Sequence, residues 1–467
     1  MKRLNQLLEC EYSIEISGIA TDSRNVAPGF LFIATKGFHV DHYDYVSDAI
    51  ERGAVAVVVD RERRFSVPTI LVSDINRALI SICENYYDVK SSEFKFIGIT
   101  GTDGKTTTST ITRNLLNFFV PTAYIGTNGL YCGDDIYSTK NTTPCIEKLY
   151  HYFSVIKEHK CKYIVMEVSS EALLHHRVDS ILFDVVAFTN ITEDHLNIHK
   201  TVENYRNSKF RLASLCKNGG NIFVNGDDEN CKLLSVNNKI TFGFSGDNDY
   251  VISIVNECQE NVYFDVMCKD KKYQFCSPFL GKYNVYNVVL AWLIVRSFSF
   301  SDSDLISSIT TLPPVMGRRE FFPDSRGFTV LLDYAHTENG ILNLLQSLSR
   351  YQRIIVVTGA AGGREVEKRS RIGDILFQYA DYIVFTMDDP RNEDPKDIAL
   401  EMIGEHKESK YTFIENREQA ISYAFSMALE GDVIAIIGKG RDNYMAVFDQ
   451  RIPYSDYDVI LKNLKKN

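Results

Sequence analysis

A glycine-rich turn with a lysine directly behind it carries the clearest chemistry in this 467-residue chain: Ile99-Thr100-Gly101-Thr102-Asp103-Gly104-Lys105-Thr106-Thr107. It follows an apolar run over Phe94 to Thr100 and opens a segment of helical character from Lys105 to about Phe119. In that setting the N–H groups of the turn and of the helix start converge on one point, where an anion is favoured. Lys105 would neutralise the β- and γ-phosphates of a nucleotide, and the Thr106 hydroxyl would ligate Mg²⁺. Gly101, Thr102, Asp103, Gly104 and Thr107 complete the expected cradle. The pattern departs from the strict GxxxxGK[ST] loop, since Ile99 stands where the first glycine belongs. An incidental lysine in a tight turn is the competing reading, and the strand–turn–helix setting disfavours it.

Two further sets of residues become chemical by their position. Glu167, in Met166-Glu167-Val168-Ser169-Ser170, ends the apolar run Tyr163 to Val168, where a carboxylate could reach a metal on the γ-phosphate. Asp194-His195 follows the apolar run Asp184 to Thr189 in the same way. Taken singly, a strand-end Glu is more often solvated or capping, and a lone His more often structural. Both runs, however, belong to the sheet that should carry the phosphate loop, so their loops converge on one rim.

The elements that must position these residues follow from periodicity. Short apolar runs at 54–59, 94–100, 163–168, 184–189 and 222–224 alternate with helical patterns, which predicts a mostly parallel α/β sheet. A polar stretch over 87–93 reads as a linker, and Thr311-Leu312-Pro313-Pro314 as a second break. Beyond it, apolar runs at 329–333, 353–358, 382–386 and 433–437 place Asp333, Thr358, Asp388 and Gly438 at strand ends, as in a doubly wound, Rossmann-like domain. The length suggests about three domains. The predicted fold is α/β: a small N-terminal α/β domain over 1–90, a central P-loop ATPase-like parallel-sheet domain over 91–312, and a C-terminal Rossmann-like domain over 313–467.

Composition narrows the partners. A net charge of -10 disfavours nucleic acid as the main partner. No apolar run approaches the ~20 residues of a membrane span. The start, MKRLNQLLECEYSIEIS, lacks the sustained apolar stretch of a secretory signal. Ten cysteines without CxxC pairs give neither a zinc ribbon nor a disulfide framework, and a cytoplasmic location is expected.

The motifs TGTDGKTT, MEVSS, FTNITEDHL and YRNSK (Tyr205–Lys209), with GKYNVYN (281–287), GRRE (317–320) and DYAH (333–336), resemble in order and spacing those of the Mur ligases. The resemblance covers essentially the whole chain and is best to the type that extends UDP-N-acetylmuramoyl-L-alanyl-D-glutamate by one amino acid. It implies an ADP-forming carboxylate–amine ligase with ATP and one or two Mg²⁺ as cofactors, in which a carboxylate is activated as an acyl phosphate. Glu167, His195 and Thr106 would be metal ligands, together with Lys209 as a carbamate. Asn287, Arg318 and Asp333 would contact ATP. Thr21, Ser23, Phe38, His39 and Val40 would form the uridine-diphosphate pocket, although Thr21-Asp22-Ser23-Arg24 alone could equally be a capping turn. Asn141, Thr142, Thr143, Ser169, His175 and Arg177 would hold the muramoyl-dipeptide.

In the third domain, Asp388-Asp389-Pro390-Arg391 resembles the DNPR motif that marks meso-diaminopimelate, with Arg391 and Arg364 on its distal carboxylate. Gly438 and Asp442 belong to Gly438-Lys439-Gly440-Arg441-Asp442, where the family pattern reads GKGHE. Asp103 replaces a family Asn, and Glu171 and His175 stand where relatives have His and Gln. The shorter Asp442 leaves L-lysine or another amino acid, added by a diverged paralogue, as the alternative. Another Mur-fold amide ligase and an inactive nucleotide-binding scaffold are the remaining alternatives. A monomer is expected, without membrane insertion.

Overall fold

The structure is a computed structural model that describes residues 1–36, 41–258, 260–364, 366–406 and 410–465. Each of three α/β units is built on its own sheet. The first has four parallel strands, Gly18–Ala20, Phe30–Ile33, Ala54–Val59 and Thr69–Leu71, in that order. The helix Ile75–Tyr87 runs through the start of the predicted linker and stops at Asp88, which adopts φ 52°. The linker is therefore shorter than the polar stretch suggested.

The central sheet has eleven strands, and its middle is parallel: Thr122–Gly126, Tyr163–Glu167, Lys95–Thr100, Phe183–Phe188, Cys216–Asn225, Lys239–Gly243 and Tyr250–Glu257 lie side by side. Lys95–Thr100 is buried on both faces, as the middle of a parallel sheet requires. Phe96 packs in one core cluster with Phe153 and Phe183, while Ile97 and Ile99 pack in another with Ile111, Leu115 and Trp292. Each such side chain contributes roughly 1.5–3 kcal/mol by leaving water. Antiparallel strands extend both edges, at Gly129–Cys132 and Asp135–Tyr137 on one side and at Val262–Cys268 and Lys271–Ser277 on the other. None of these four was anticipated: Gly129–Cys132 is only four residues long, Asp135–Tyr137 is exposed, and the other two carry exposed positions that break the continuous apolar run of their buried neighbours.

The helix Lys105–Asn117 is rich in threonine, a poor helix former. Packing overrides propensity here: Ile111, Leu115 and Leu116 anchor it, and the Thr112 hydroxyl satisfies the Thr108 carbonyl at 2.7 Å. It ends two residues before the predicted Phe119. The third sheet has six strands in the order Glu320–Pro323, Thr329–Asp333, Val433–Ile437, Ile354–Thr358, Tyr382–Phe385 and Tyr411–Phe413. Only the first pair is antiparallel. Among the described residues no helix is long and apolar enough to cross a membrane.

Candidate functional site

Two glycines set the shape of the phosphate loop. A β-carbon would lie 1.8 Å from Thr189 Oγ1 at Gly101 (φ +154°) and 2.6 Å from Asn287 Oδ1 at Gly104 (φ +80°). The next strand's loop pins the turn: Asn190 Oδ1 accepts from the Asp103 N–H at 2.9 Å, and Thr189 Oγ1 donates to the Asp103 carbonyl at 2.6 Å. Lys105 Nζ curls back onto the carbonyls of Gly101 and Thr102 at 2.8 and 2.9 Å. Lys209 Nζ donates to the same Gly101 carbonyl at 2.7 Å. Burial pushes both amines below the usual lysine range, Lys209 the further because Lys105 places a like charge beside it.

Glu167 is fully buried at the end of its strand. Its Oε2 accepts from Thr106 Oγ1 at 2.9 Å and from Thr127 Oγ1 at 3.3 Å; its Oε1 accepts from the Tyr124 hydroxyl and from the Thr127 N–H at 3.1 Å. His195 sits in a left-handed turn (φ 55°), with Nε2 3.4 Å from Asp194 Oδ2 and Nδ1 3.4 Å from Arg364 Nη1. Burial, aided by Arg364, Lys209 and Lys105, pushes the imidazole down to about 3, so it is neutral near pH 7, the form that binds metals. Among the described residues no three His, Cys, Asp or Glu side chains form a ready-made metal cage. A phosphate-bound Mg²⁺ needs only one or two protein oxygens, and the adjacent Thr106 and Glu167 meet that need.

These groups open into a cavity of about 1990 Å³ lined by the central and third units, roomier than the roughly 300–1,000 Å³ typical of one ligand. From the third unit Arg318 reaches Thr106 Oγ1 at 3.3 Å, its guanidinium 4.5 Å from the Tyr334 ring. Asp333 accepts the N–H groups of Arg319 and Ala335 at 2.8 and 2.7 Å, and burial raises its pKa. The Asn287 amide lies between Thr108 Oγ1, at 3.1 Å, and Asn284 Oδ1, at 3.2 Å.

Three stretches match known domains: residues 15–93 the Mur ligase family catalytic domain, 99–295 the Mur ligase middle domain, and 317–440 the Mur ligase glutamate ligase domain. The UDP-N-acetylmuramoyl-L-alanyl-D-glutamate--2,6-diaminopimelate ligase of Caldanaerobacter subterraneus subsp. tengcongensis is 36% identical, with 97% of this chain and 96% of the relative covered. The chain belongs to the Mur ligase family. A relative of the same name from Geobacillus thermodenitrificans is 34% identical, with 97% and 95% covered. A solved structure of a ligase with that name shares the fold at TM-score 0.67 and 24% identity, covering 100% of this chain and 99% of its own. The MurF ligase of Thermotoga maritima, solved with ADP, does so at TM-score 0.65 and 19% identity, covering 96% and 97%.

In this Mur ligase family member the cavity gathers most of the residues singled out in the sequence. Thr102 to Thr107, Glu167, His195, Lys209, Asn287, Arg318 and Asp333 all line it. So do Asn141, Thr142, Thr143, Ser169 and Arg177; the Thr143 hydroxyl donates to the Glu167 carbonyl at 2.8 Å, and Arg177 Nη1 to the Thr143 carbonyl at 3.2 Å. His175 is not in that lining; it caps the helix Ser170–Leu174, its N–H on the Glu171 carbonyl at 2.8 Å. Thr21 and Ser23 also lie outside the lining: Thr21 donates to Glu147 Oε1 at 2.7 Å, and Ser23 bonds the Asp48 carboxylate. Phe38, His39 and Val40 lie outside the described residues.

The third-domain set divides. Arg364 and Arg391 line the cavity, and among the described residues the Arg391 guanidinium makes no hydrogen bond; its backbone bridges to Ala446 and Phe448 at 3.1 and 2.8 Å. Asp388, Asp389 and Asp442 instead surround the buried Lys439 ammonium at 3.9, 2.8 and 3.9 Å. Asp388 and Asp389 serve here as counter-charges to Lys439, because an ammonium with 1% of its side chain exposed must be paired. Gly438 admits this packing, since a β-carbon there would be 2.1 Å from Asp388 Oδ2. The Pro390 backbone lies against Gly362, where a β-carbon would be 1.9 Å from the Pro390 carbonyl oxygen. Burial, reinforced by Asp389 and Asp388, raises Asp442 to about 6 despite Lys439. Arg441 turns away from this cluster, gripping Glu320 at 2.7–3.0 Å.

Sequence reasoning missed several groups. Tyr124 and Thr127 hold Glu167 but carry no motif. Thr337 directly follows DYAH, and its hydroxyl donates to Asp103 Oδ1 at 3.0 Å, linking the phosphate loop to the third unit. Lys368 carries no sequence signal at all.

Proposed function

We propose that this protein is an ATP-dependent amide ligase that adds meso-diaminopimelate to UDP-N-acetylmuramoyl-L-alanyl-D-glutamate in peptidoglycan precursor synthesis. One observation carries the reading: the phosphate loop and the Arg391 guanidinium, which makes no hydrogen bond among the described residues, line a single cavity, so a nucleotide and an amino acid with a distal carboxylate can meet there. The name carried by the full-length relatives supports the same substrates. Thr21 and Ser23, with 38–40, form the uridine-diphosphate subsite, and 141–143, Ser169 and Arg177 lead the dipeptide toward the phosphate loop.

The chain's own groups account for two steps. Lys105 leaves the loop carbonyls and neutralises the γ-phosphate of ATP while the substrate carboxylate attacks it, forming an acyl phosphate and ADP. The amino group then attacks the acyl carbon, and the phosphate leaves; cationic Lys105 and Arg318 stabilise the developing oxyanion. Mg²⁺ held by Thr106, Glu167 and His195 would supply further charge neutralisation when bound. Burial pushes the Lys209 amine well below its usual range, which favours the uncharged form that adds carbon dioxide, and a carbamate there would place an anion beside Lys105. Arg391, assisted by Arg364, takes the distal carboxylate of the amino acid, and Asp442 its ammonium. Domain boundaries fall near residues 90 and 312. The ligase acts as a cytoplasmic monomer.

A panel of amino acids offered with ATP and the UDP-muramoyl-dipeptide tests the reading. Phosphate release and a product mass are expected with meso-diaminopimelate. A lysine product without a diaminopimelate product would overturn the role of Arg391, and release with neither would overturn the assignment.

A further inference from the structure

The two sides of the proposed metal site are held differently. Glu167 is fixed within the central unit by Tyr124, Thr127 and Thr106, and Arg318 adds a contact to Thr106 from the third unit at 3.3 Å. The loop that carries His195 is gripped from the third unit. Lys368, on the first turn of the helix Glu367–Tyr379, donates to Asp194 Oδ1 at 2.6 Å, with only 10% and 13% of the two side chains exposed. The same carboxylate accepts the His195 N–H at 3.0 Å on Oδ1 and faces His195 Nε2 from Oδ2 at 3.4 Å. Arg371, one turn further along, adds contacts to Glu193 at 3.5 Å and Glu338 at 2.8 Å.

A carboxylate beside one ring nitrogen fixes the imidazole's tautomer and orientation and leaves the other nitrogen to a metal. Asp194 lies beside Nε2, which leaves Nδ1 as the nitrogen for a metal; Arg364 Nη1, 3.4 Å from Nδ1, must move aside when the metal binds. We propose that Lys368 is a positioning residue for this site: by gripping Asp194 it fixes the ring of His195, so the metal site is complete only when the third unit is docked on the central one. The proposal rests on the metal reading given under Proposed function. Lys368 touches neither nucleotide nor metal; its effect passes through Asp194.

The test compares wild type, Lys368→Met and Lys368→Arg in Mn²⁺ binding, read by electron paramagnetic resonance with a non-hydrolysable ATP analogue present, alongside the Mg²⁺ dependence of phosphate release. The methionine variant should weaken Mn²⁺ binding roughly 10- to 100-fold and raise the half-saturating Mg²⁺ by a similar factor. Metal-free nucleotide binding should stay unchanged, and arginine should restore most of the loss. Asp194→Asn breaks the same link from the other side, so it carries the same expectation if methionine disturbs packing at this nearly buried position. A folded Lys368→Met protein with wild-type Mn²⁺ affinity would overturn the proposal and leave the ligase reading intact. Wild-type protein that holds no Mn²⁺ beside the nucleotide analogue would overturn the metal reading, and this inference with it.

Discussion

Replacing Asp442 by Asn should stabilise the protein at neutral pH and not in acid. Asp442 is raised from 3.8 to about 6, first by burial and then by Asp389 and Asp388, against the opposing pull of Lys439 and Arg318. The folded protein therefore holds this proton up to about pH 6, whereas the unfolded chain releases it near 3.8. Folding takes up a proton between those values. Asp442's contribution is most favourable below pH 3.8 and is lost as pH rises through about 6. At about 1.4 kcal/mol per pH unit, the cost above pH 6 has an upper bound near 3 kcal/mol. With 24% of the side chain exposed, solvent screening trims this to about 1–3 kcal/mol. Asparagine matches the neutral acid in shape and carries no such cost. Urea unfolding followed on the third unit should show the variant ahead by that amount at pH 8, by about half of it at pH 5, and with a Tm higher by roughly 2–10 °C. The gain should accompany a higher KM for the amino acid, because the carboxylate placed for its ammonium is gone. A variant no more stable than wild type at pH 8, or a gap that ignores pH, would refute the electrostatic account of the Lys439 cluster.

Lys105→Ala should abolish ATP turnover while leaving the circular dichroism spectrum and Tm close to wild type, and retained turnover would show that the phosphate loop is misread. Arg417→Ala should destabilise the third unit by about 3–5 kcal/mol, since it strands the fully buried Asp456, which Arg417 holds at 2.8 and 2.9 Å; calorimetry would read this as a lower Tm. Arg391→Ala should raise KM for meso-diaminopimelate far more than it lowers kcat, because the lost contact is made equally in ground and transition states. Steady-state assays with the amino acid varied separate these effects.

Local chemistry made much of this protein legible from its sequence. Continuous apolar runs such as Ala54–Val59, Thr329–Asp333 and Val433–Ile437 became strands with the predicted bounds, because burial on both faces leaves no polar alternation to confuse the pattern. Gly101, Gly104 and Lys105 announced the phosphate loop, since few other residues fit its backbone and charge. The edge hairpins of the central sheet gave no such signal. Partnership was the other thing the sequence did not hold. That Asp388 and Asp389 face Lys439, that Arg441 turns to Glu320, and that Asp103 meets Thr337 were decided by packing between segments 50 to 234 residues apart or by one buried charge needing another. Residue type sets what a side chain can do; which neighbour neutralises it, and so whether it is free for a ligand, belongs to the tertiary structure, because a buried charge is stable only where the fold delivers its counter-charge.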